Sequence, residues 1–295
     1  MGTLEGFPYP PAMEPVGQSP PGSLATGEPR GAPSRPVPGT GYAGRPGPRL
    51  RVRVTKLGPA AYLGHLDYLR LVPRVCRRAG VPLFYGGGFH PKPAIAASPA
   101  LGLGTASAGE IFDLRLLESA AAVPVPEILS RLDAASPAGV RFLAVRALEE
   151  GDPALGRVIG AADFAIEAGA LGDSATGVSR VAALAGSDVT IVRAQKGSEK
   201  RLRVGAFVLG AFPPGPGVDL EALGLRPPAV VARLRLAADG SLRPPEVIEA
   251  ALGAPPGARP RAVRLALWAL TADGVVVDPL DLEAVRARSP RVGRE

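Results

Sequence analysis

A single cysteine, Cys76, in a chain of 295 residues leaves no intrachain disulfide, no zinc site of the CxxC type and no cysteine-ligated iron–sulfur cluster within one chain. Histidine is nearly as scarce, with only His65 and His90, and aromatic residues make up 5% of the sequence. No Ser/His/Asp order, paired-carboxylate motif or HExxH is found, and Glu149 with Glu150 reads as a charge pair at a strand exit. No metal site and no cofactor are expected in this chain. Long apolar runs are missing too: no stretch supplies the roughly 20 uncharged apolar residues that a bilayer span needs. The nearest, residues 94–109 (AIAASPALGLGTASAG), is broken by Pro99 and small polar residues. The first residues lack the basic start and apolar run of a secretory signal, so a cytoplasmic protein without a membrane partner is expected.

What the chain has in excess is glycine and proline, 38 and 34 residues, and arginine, which drives a formal charge of +7. A basic balance of this kind suits a polyanionic partner. The glycine and proline are concentrated in residues 1–48 (PYPPAMEP, GEPRGAPSRPVPGTGYAGRPGP), where Ile, Leu and Val are almost absent. With nothing to bury, this segment is expected to be a disordered tail.

From Arg49 the pattern changes. RLRVRVTKL alternates, with Val52 and Val54 on one face and Arg51 and Arg53 on the other, as a strand does. A helix is expected from about His65 to Gly80, with Leu66, Leu69, Val72, Cys76 and Ala79 as its apolar side, Arg70, Arg74, Arg77 and Arg78 opposite, and Pro73 inside as a kink. Strands at 81–85, 110–117 and 140–147 and a helix at 126–135 complete the order β-α-β-β-α-β, a ferredoxin-like arrangement with helices on one sheet face and the other face open. A weaker repeat follows: strands at 163–168, 188–195, 201–209, 230–236 and 261–269, helices at 179–184 and 245–252. The expected fold class is therefore α+β, two ferredoxin-like halves after a disordered Pro/Gly-rich tail. The expected division is a tail at 1–48, domains at 49–150 and 163–272, a linker at 151–162 and a C-terminal tail at 273–295.

Two stretches carry candidate binding residues. In GHLD, Gly64 is the expected helix cap, His65 opens the helix, and Asp67 falls where a carboxylate faces the unpaired amides of the first turn. In GGGFHPKP, glycines up to Gly88 free backbone amides to face an anion, Phe89 offers a stacking face, and His90 and Lys92 supply donors. The same loop also suits a hairpin tip stiffened by Pro91 and Pro93, and both roles stay open. Arg70, Arg74 and Arg77 share a helix face that fits either a phosphate-tracking row or a solvated side. A shared site is expected where the glycine loop folds back towards the helix start, bringing His65 and His90 together.

The run TKLGPAAYLGHLDYLRLVPRVCRRAGVPLFYGGGFHPKPAIAASPALGLG, followed by GEIFDLRL, resembles the radical-SAM-linked protein family, a domain of unknown function encoded beside, or fused to, cobalamin-binding radical SAM proteins. The matching positions are Thr55, Lys56, His65, Leu66, Asp67, Arg77, Arg78, Ala79, Gly80, Gly88, Phe89, Pro91, Pro93, Gly109, Glu110 and Asp113. Gly64 stands where the family carries Ser. The resemblance implies a non-catalytic partner of a radical SAM enzyme that binds substrate or positions that enzyme, with the radical chemistry in the other chain. The second expectation is an RNA-binding protein or a metal-independent endoribonuclease resembling CRISPR-repeat-processing enzymes, with His65 or His90 as general base on a ribose hydroxyl and Lys92 or an arginine on the phosphate.

Overall fold

The computed structural model describes residues 44–87, 90–195, 198–237, 240–255, 259–271 and 273–288. The expected tail at 1–48 lies outside these up to residue 43, but its last residues do not: β1 (Pro46–Lys56) begins within it, and Pro46 pairs with Leu117. The chain then runs through η1 (Gly58–Tyr62, a 3-10 turn), α1 (His65–Arg78), β2 (Ile95–Ala97), β3 (Ala106–Leu117), α2 (Val125–Ala134) and β4 (Phe142–Leu148). The second part comprises α3 (Leu155–Val158), β5 (Ile159–Glu167), α4 (Ser174–Ala182), β6 (Thr190–Gln195), β7 (Ser198–Arg203), β8 (Val208–Phe212), β9 (Ala229–Arg235), α5 (Pro244–Leu252), β10 (Ala262–Leu270), β11 (Val276–Val277) and α6 (Leu282–Arg288).

The protein is α+β. Nine strands form one sheet with the path β4-β1-β3-β10-β5-β9-β8, while β2 pairs with β3 and β11 with β10. Within the first part the neighbours β4, β1, β3 and β2 are all antiparallel, and so are β10, β5, β9 and β8 in the second. The parts join where β3 and β10 run parallel, Ala106 opposite Val263 and Ser107 opposite Arg264. The two halves therefore share a sheet instead of each closing its own. The β6–β7 pair, expected to belong to the second sheet, is a separate two-stranded hairpin. Arg193 of β6 fastens it, donating to Glu246 at 2.8 Å and to the Ser241 carbonyl at 2.9 Å.

Alternation in β1 works as the sequence predicts on one side: Leu50, Val52 and Val54 pack with Phe112, Leu114 and Leu116 of β3 against Tyr68, Val72, Val75 and Cys76 of α1 and Ile128 and Leu132 of α2. The inward face of α1 is rotated from the expected one. Tyr68 and Val75 are buried and Leu66 points out, 65% exposed. Pro73 stays inside α1, which spans it from His65 to Arg78.

The other face of the first half is not open. Arg51 is fully buried there and holds Asp113 through two bonds of 2.7 and 2.9 Å. Its remaining donors reach the Pro279 and Pro153 carbonyls at 3.2 and 3.0 Å, and Arg53 pairs with Asp278 at 2.6 Å. The covering segments are the expected linker, which carries α3 and the start of β5, and the expected C-terminal tail, which carries β11 and α6. Arg286 of α6 clamps them together through Asp152, at 2.8 Å from Nη2. That hydrogen bond is the main cause holding the Asp152 carboxyl below its usual range. A sheet face with one alternate row of arginines would be solvated if bare, and the later chain supplies the carboxylates and carbonyls that let it be buried.

Because Arg51 is fully buried, Asp113→Ala should destabilise the fold by about 3–5 kcal/mol, whereas Arg51→Met combined with Asp113→Leu should recover most of that loss. Urea unfolding checks both. A single Asp113→Ala variant with an unchanged midpoint would show that the pair carries no such weight.

Candidate functional site at the mouth of α1

The end of β1 builds the floor. A register shift between Val54 and Lys56 turns Lys56 under η1, where it is 3% exposed. Its Nζ donates to the Ala61 carbonyl at 3.2 Å and lies 5.9 Å from the centre of the Tyr68 ring. Tyr68, on the buried side of α1, donates its hydroxyl to the Thr55 carbonyl at 2.8 Å. Thr55 in turn donates to the Gly139 carbonyl at 3.1 Å and accepts from the Arg141 amide at 2.9 Å. Gly139 is required here: its φ is 81° and a Cβ would fall 2.1 Å from the Leu57 oxygen.

Next along the floor is Glu110 of β3. It accepts from Arg264 Nη1 at 2.8 and 3.1 Å and from the Ser98 hydroxyl at 2.8 Å. Arg264 also reaches the Pro99 carbonyl at 3.0 Å and lies over the Phe164 ring at 5.5 Å. Burial lowers the pKa of Lys56, opposed by Glu110 and assisted by Arg264. Burial also raises the Tyr68 phenol well above its ordinary value, with the Glu110 charge adding to it. The Cys76 thiol, buried behind α1, is pushed up to about 12 by burial, which removes it as a nucleophile at neutral pH.

Above this floor the rim is apolar. Tyr62 at the end of η1, Leu66 in the first turn of α1 and Leu103 in the loop before β3 are 75%, 65% and 75% exposed. The loop bearing Leu103 lies against η1: Gly104 donates its amide to the Ala61 carbonyl at 3.2 Å, and a Cβ on it would be 4.0 Å from the Tyr62 ring. His65, half-buried, stands between Tyr62 and Leu66 in sequence at the start of α1.

Gly64 is the cap of α1 without a side-chain bond, and Asp67 lies in its first turn. Asp67 and Arg70 form an exposed pair at 3.3 Å, a contact of little weight in water. Arg74, Arg77 and Arg78 face solvent as the helix pattern predicts, but Arg51 and Arg53 do not extend this row, since both are tied up on the far face of the sheet. His90 and Lys92 are exposed in a loop closed by the Tyr85–Pro93 bridge and by the Gly86 amide donating to the Lys92 carbonyl at 2.9 Å. Gly88 and Phe89 lie outside the described residues.

The base of that loop is hydrogen-bonded to Arg115 of β3, whereas Lys56, from which the chain leaves towards His65, is level with Ser107. Eight residues of strand separate the two roots, about 25 Å. Among the described residues no hydrogen bond or ion pair joins the side chains of His65, His90 and Lys92. The structure thus groups His65 and Asp67 with the apolar rim, and roots the glycine loop elsewhere on the sheet. Lys56, Tyr68, Glu110 and Arg264 were not candidates from sequence. The first and third lie in the T-K and G-E-x-x-D motifs, while nothing in the sequence marks Arg264. Also among the described residues, no three His, Cys, Asp or Glu side chains converge to hold a metal ion, and no helix is long and apolar enough to cross a membrane.

The buried phenol gives a pH signature. An unfolded chain releases the Tyr68 proton near the ordinary 10.0 while the folded chain keeps it, so stability falls as pH rises above about 10. Lys56 acts with the opposite sign, its lowered pKa making stability rise with pH up to the ordinary 10.5. Tyr68→Phe should cost about 1 kcal/mol at pH 7 through the lost bond to Thr55 and should flatten the decline above pH 10. Chemical denaturation from pH 8 to 11 on both chains measures this, and identical alkaline limbs would refute it.

None of the curated proteins matches the sequence. A family model described as uncharacterized protein conserved in bacteria (DUF2344) matches residues 49–212, from β1 through β8 and so across the whole candidate site except Arg264. That description names no radical SAM enzyme. The match spans more than half of the chain, and the protein belongs to this family of uncharacterized bacterial proteins.

Proposed function

We propose that the chain is a non-catalytic accessory partner of a radical SAM enzyme and docks that enzyme through the apolar rim at the mouth of α1. The observation that carries this reading is the exposure of Tyr62, Leu66 and Leu103 around one helix start. Large apolar side chains gathered at one place on a surface, with polar groups beside them, are a feature of protein contact sites. The carboxylates beneath serve the scaffold: Glu110 is held by Arg264 and Ser98, and Asp113 by Arg51. His65 and Asp67 would then border the contact and set its register. The identity of the enzyme rests on the resemblance of the T-K, HLD, RRAG and GExxD motifs to radical-SAM-linked proteins.

A cobalamin-binding radical SAM protein from the same genome, co-expressed with this chain, should co-purify with it. Tyr62→Ser combined with Leu66→Ser should weaken the complex by roughly tenfold or more while leaving the unfolding midpoint nearly unchanged. Absence of a complex, or a complex indifferent to these substitutions, overturns the reading.

A second reading, RNA binding or metal-independent RNA cleavage, is favoured by one observation, the solvent-facing row Arg70, Arg74 and Arg77. In that case affinity for mixed RNA should fall steeply with salt, and the slope should shrink in Arg70→Ala/Arg74→Ala. Fluorescence anisotropy showing no binding at low salt removes it.

A further inference from the structure

The arginines buried on the sheet each have a carboxylate. Arg51 holds Asp113, Arg233 holds Asp163 and Arg264 holds Glu110, at 2.7, 2.7 and 2.8 Å. Lys56 is the exception. It is 3% exposed, yet among the described residues no carboxylate forms an ion pair with its Nζ. An ammonium has three donors, and among the described residues the one hydrogen bond that Lys56 makes is to the Ala61 carbonyl at 3.2 Å. A second donor nearby is also unused: the Nε of Arg264 is buried without an acceptor, although its Nη1 is engaged by Glu110. The sheet brings these two cations together, because Lys56 of β1 and Arg264 of β10 are both in register with Ser107 of the strand between them. With strands about 4.8 Å apart, their Cα atoms lie roughly 10 Å from each other, within joint reach of one small group for side chains of this length.

The buried floor therefore holds two cations and one carboxylate, with donors left over on both cations. Uncompensated buried charge is costly, and the Tyr68 ring face near Lys56 offsets only part of it. We propose that Lys56 and Arg264 form a site for one small anionic group, a carboxylate or a phosphate, that completes this cluster beneath η1. Gly58, Pro59 and Tyr62 of that turn are exposed, and the turn is tied to the floor by the Lys56–Ala61 bond. This site does not depend on docking of a partner and is tested on the isolated chain.

The chain has four lysines, Lys56, Lys92, Lys196 and Lys200. Changing the last three to arginine leaves Lys56 as the sole reporter for lysine labelled with carbon-13 at Cε. Titration with inorganic phosphate, and separately with acetate, against chloride at matched ionic strength should move the Lys56 resonance saturably. The effective anion should also raise the unfolding temperature of the unaltered chain. Lys56→Met should abolish that rise, and Arg70→Ala/Arg74→Ala should retain it. A response to acetate alone assigns a carboxylate ligand, and a response to phosphate alone assigns a phosphoryl group. A resonance that stays still or drifts without saturating overturns the proposal, as does a thermal shift that survives Lys56→Met. Should Lys56→Met fail to fold, the resonance in the single-lysine chain decides.

Discussion

The ion pair between Glu110 and Arg264 is the contact on which the joined sheet depends. Where β3 meets β10 only two residue pairs are in register, so backbone hydrogen bonding alone makes a thin seam. Glu110 from one strand and Arg264 from the other bridge it with a charge-assisted bond, and the same two side chains capture the loop between β2 and β3 through Ser98 and the Pro99 carbonyl. A buried pair of this kind gains little over a well-packed apolar substitute, but losing one partner leaves a charge stranded in the interior. It therefore acts as a lock on geometry: β3, β10 and the loop that carries Leu103 are held in one arrangement.

A second consequence follows on the opposite face. The arginines of β1 alternate with valines, and that alternation demands either water or carboxylates on their side. The chain answers with Asp113 from the neighbouring strand and with Asp278, Pro279 and Pro153 from segments far away in sequence. Covering the first half in this way ties its stability to α6 and to the Asp152–Arg286 clamp. It also removes that sheet face as a platform for ligands. The exposed large apolar side chains of the first half, Tyr62, Leu66 and Leu103, lie instead in the turn before α1, on its first turn and in the loop before β3.

At the mouth of α1 the polar floor and the apolar rim share one atom. The Ala61 carbonyl accepts both the Lys56 ammonium and the Gly104 amide, so the buried lysine and the exposed loop bearing Leu103 are coupled through η1. Rearrangement of that turn would alter the rim and the environment of Lys56 together. The proposed anion site below and the proposed docking rim above are thus joined by a single 3-10 turn.

Local pattern was enough to read many of the elements, but not β2, α3, β11 or α6. The alternation of RLRVRVTKL placed β1 and the cap and periodicity after Gly64 placed α1, because propensity and hydrophobic period are properties of neighbouring residues. The strand expected at 81–85, however, is only two isolated bridges, at Leu83 and Tyr85, with β2 at Ile95–Ala97 instead, and the strand expected at 201–209 is divided between β7 and β8. The α+β class followed from their order. Other features were beyond such reading. That Leu66 faces out while Tyr68 faces in depends on how α1 is rotated on the sheet, and a helix with apolar residues on several sides does not fix its own rotation. That Arg51 is buried depends on a carboxylate 62 residues away and on a cover from the end of the chain. His65 and His90 were expected to meet through a glycine loop folding back to the helix start, yet sheet register roots their loops eight residues apart along β3. Arg264 carried no signal, since its meaning comes entirely from standing level with Ser107 opposite Lys56. The sequence by itself determined many of the strands and helices and which carboxylates and cations are available. Tertiary structure alone decided which charges meet, because pairing across a sheet is set by register and strand order, and neither is written in the local period of the chain.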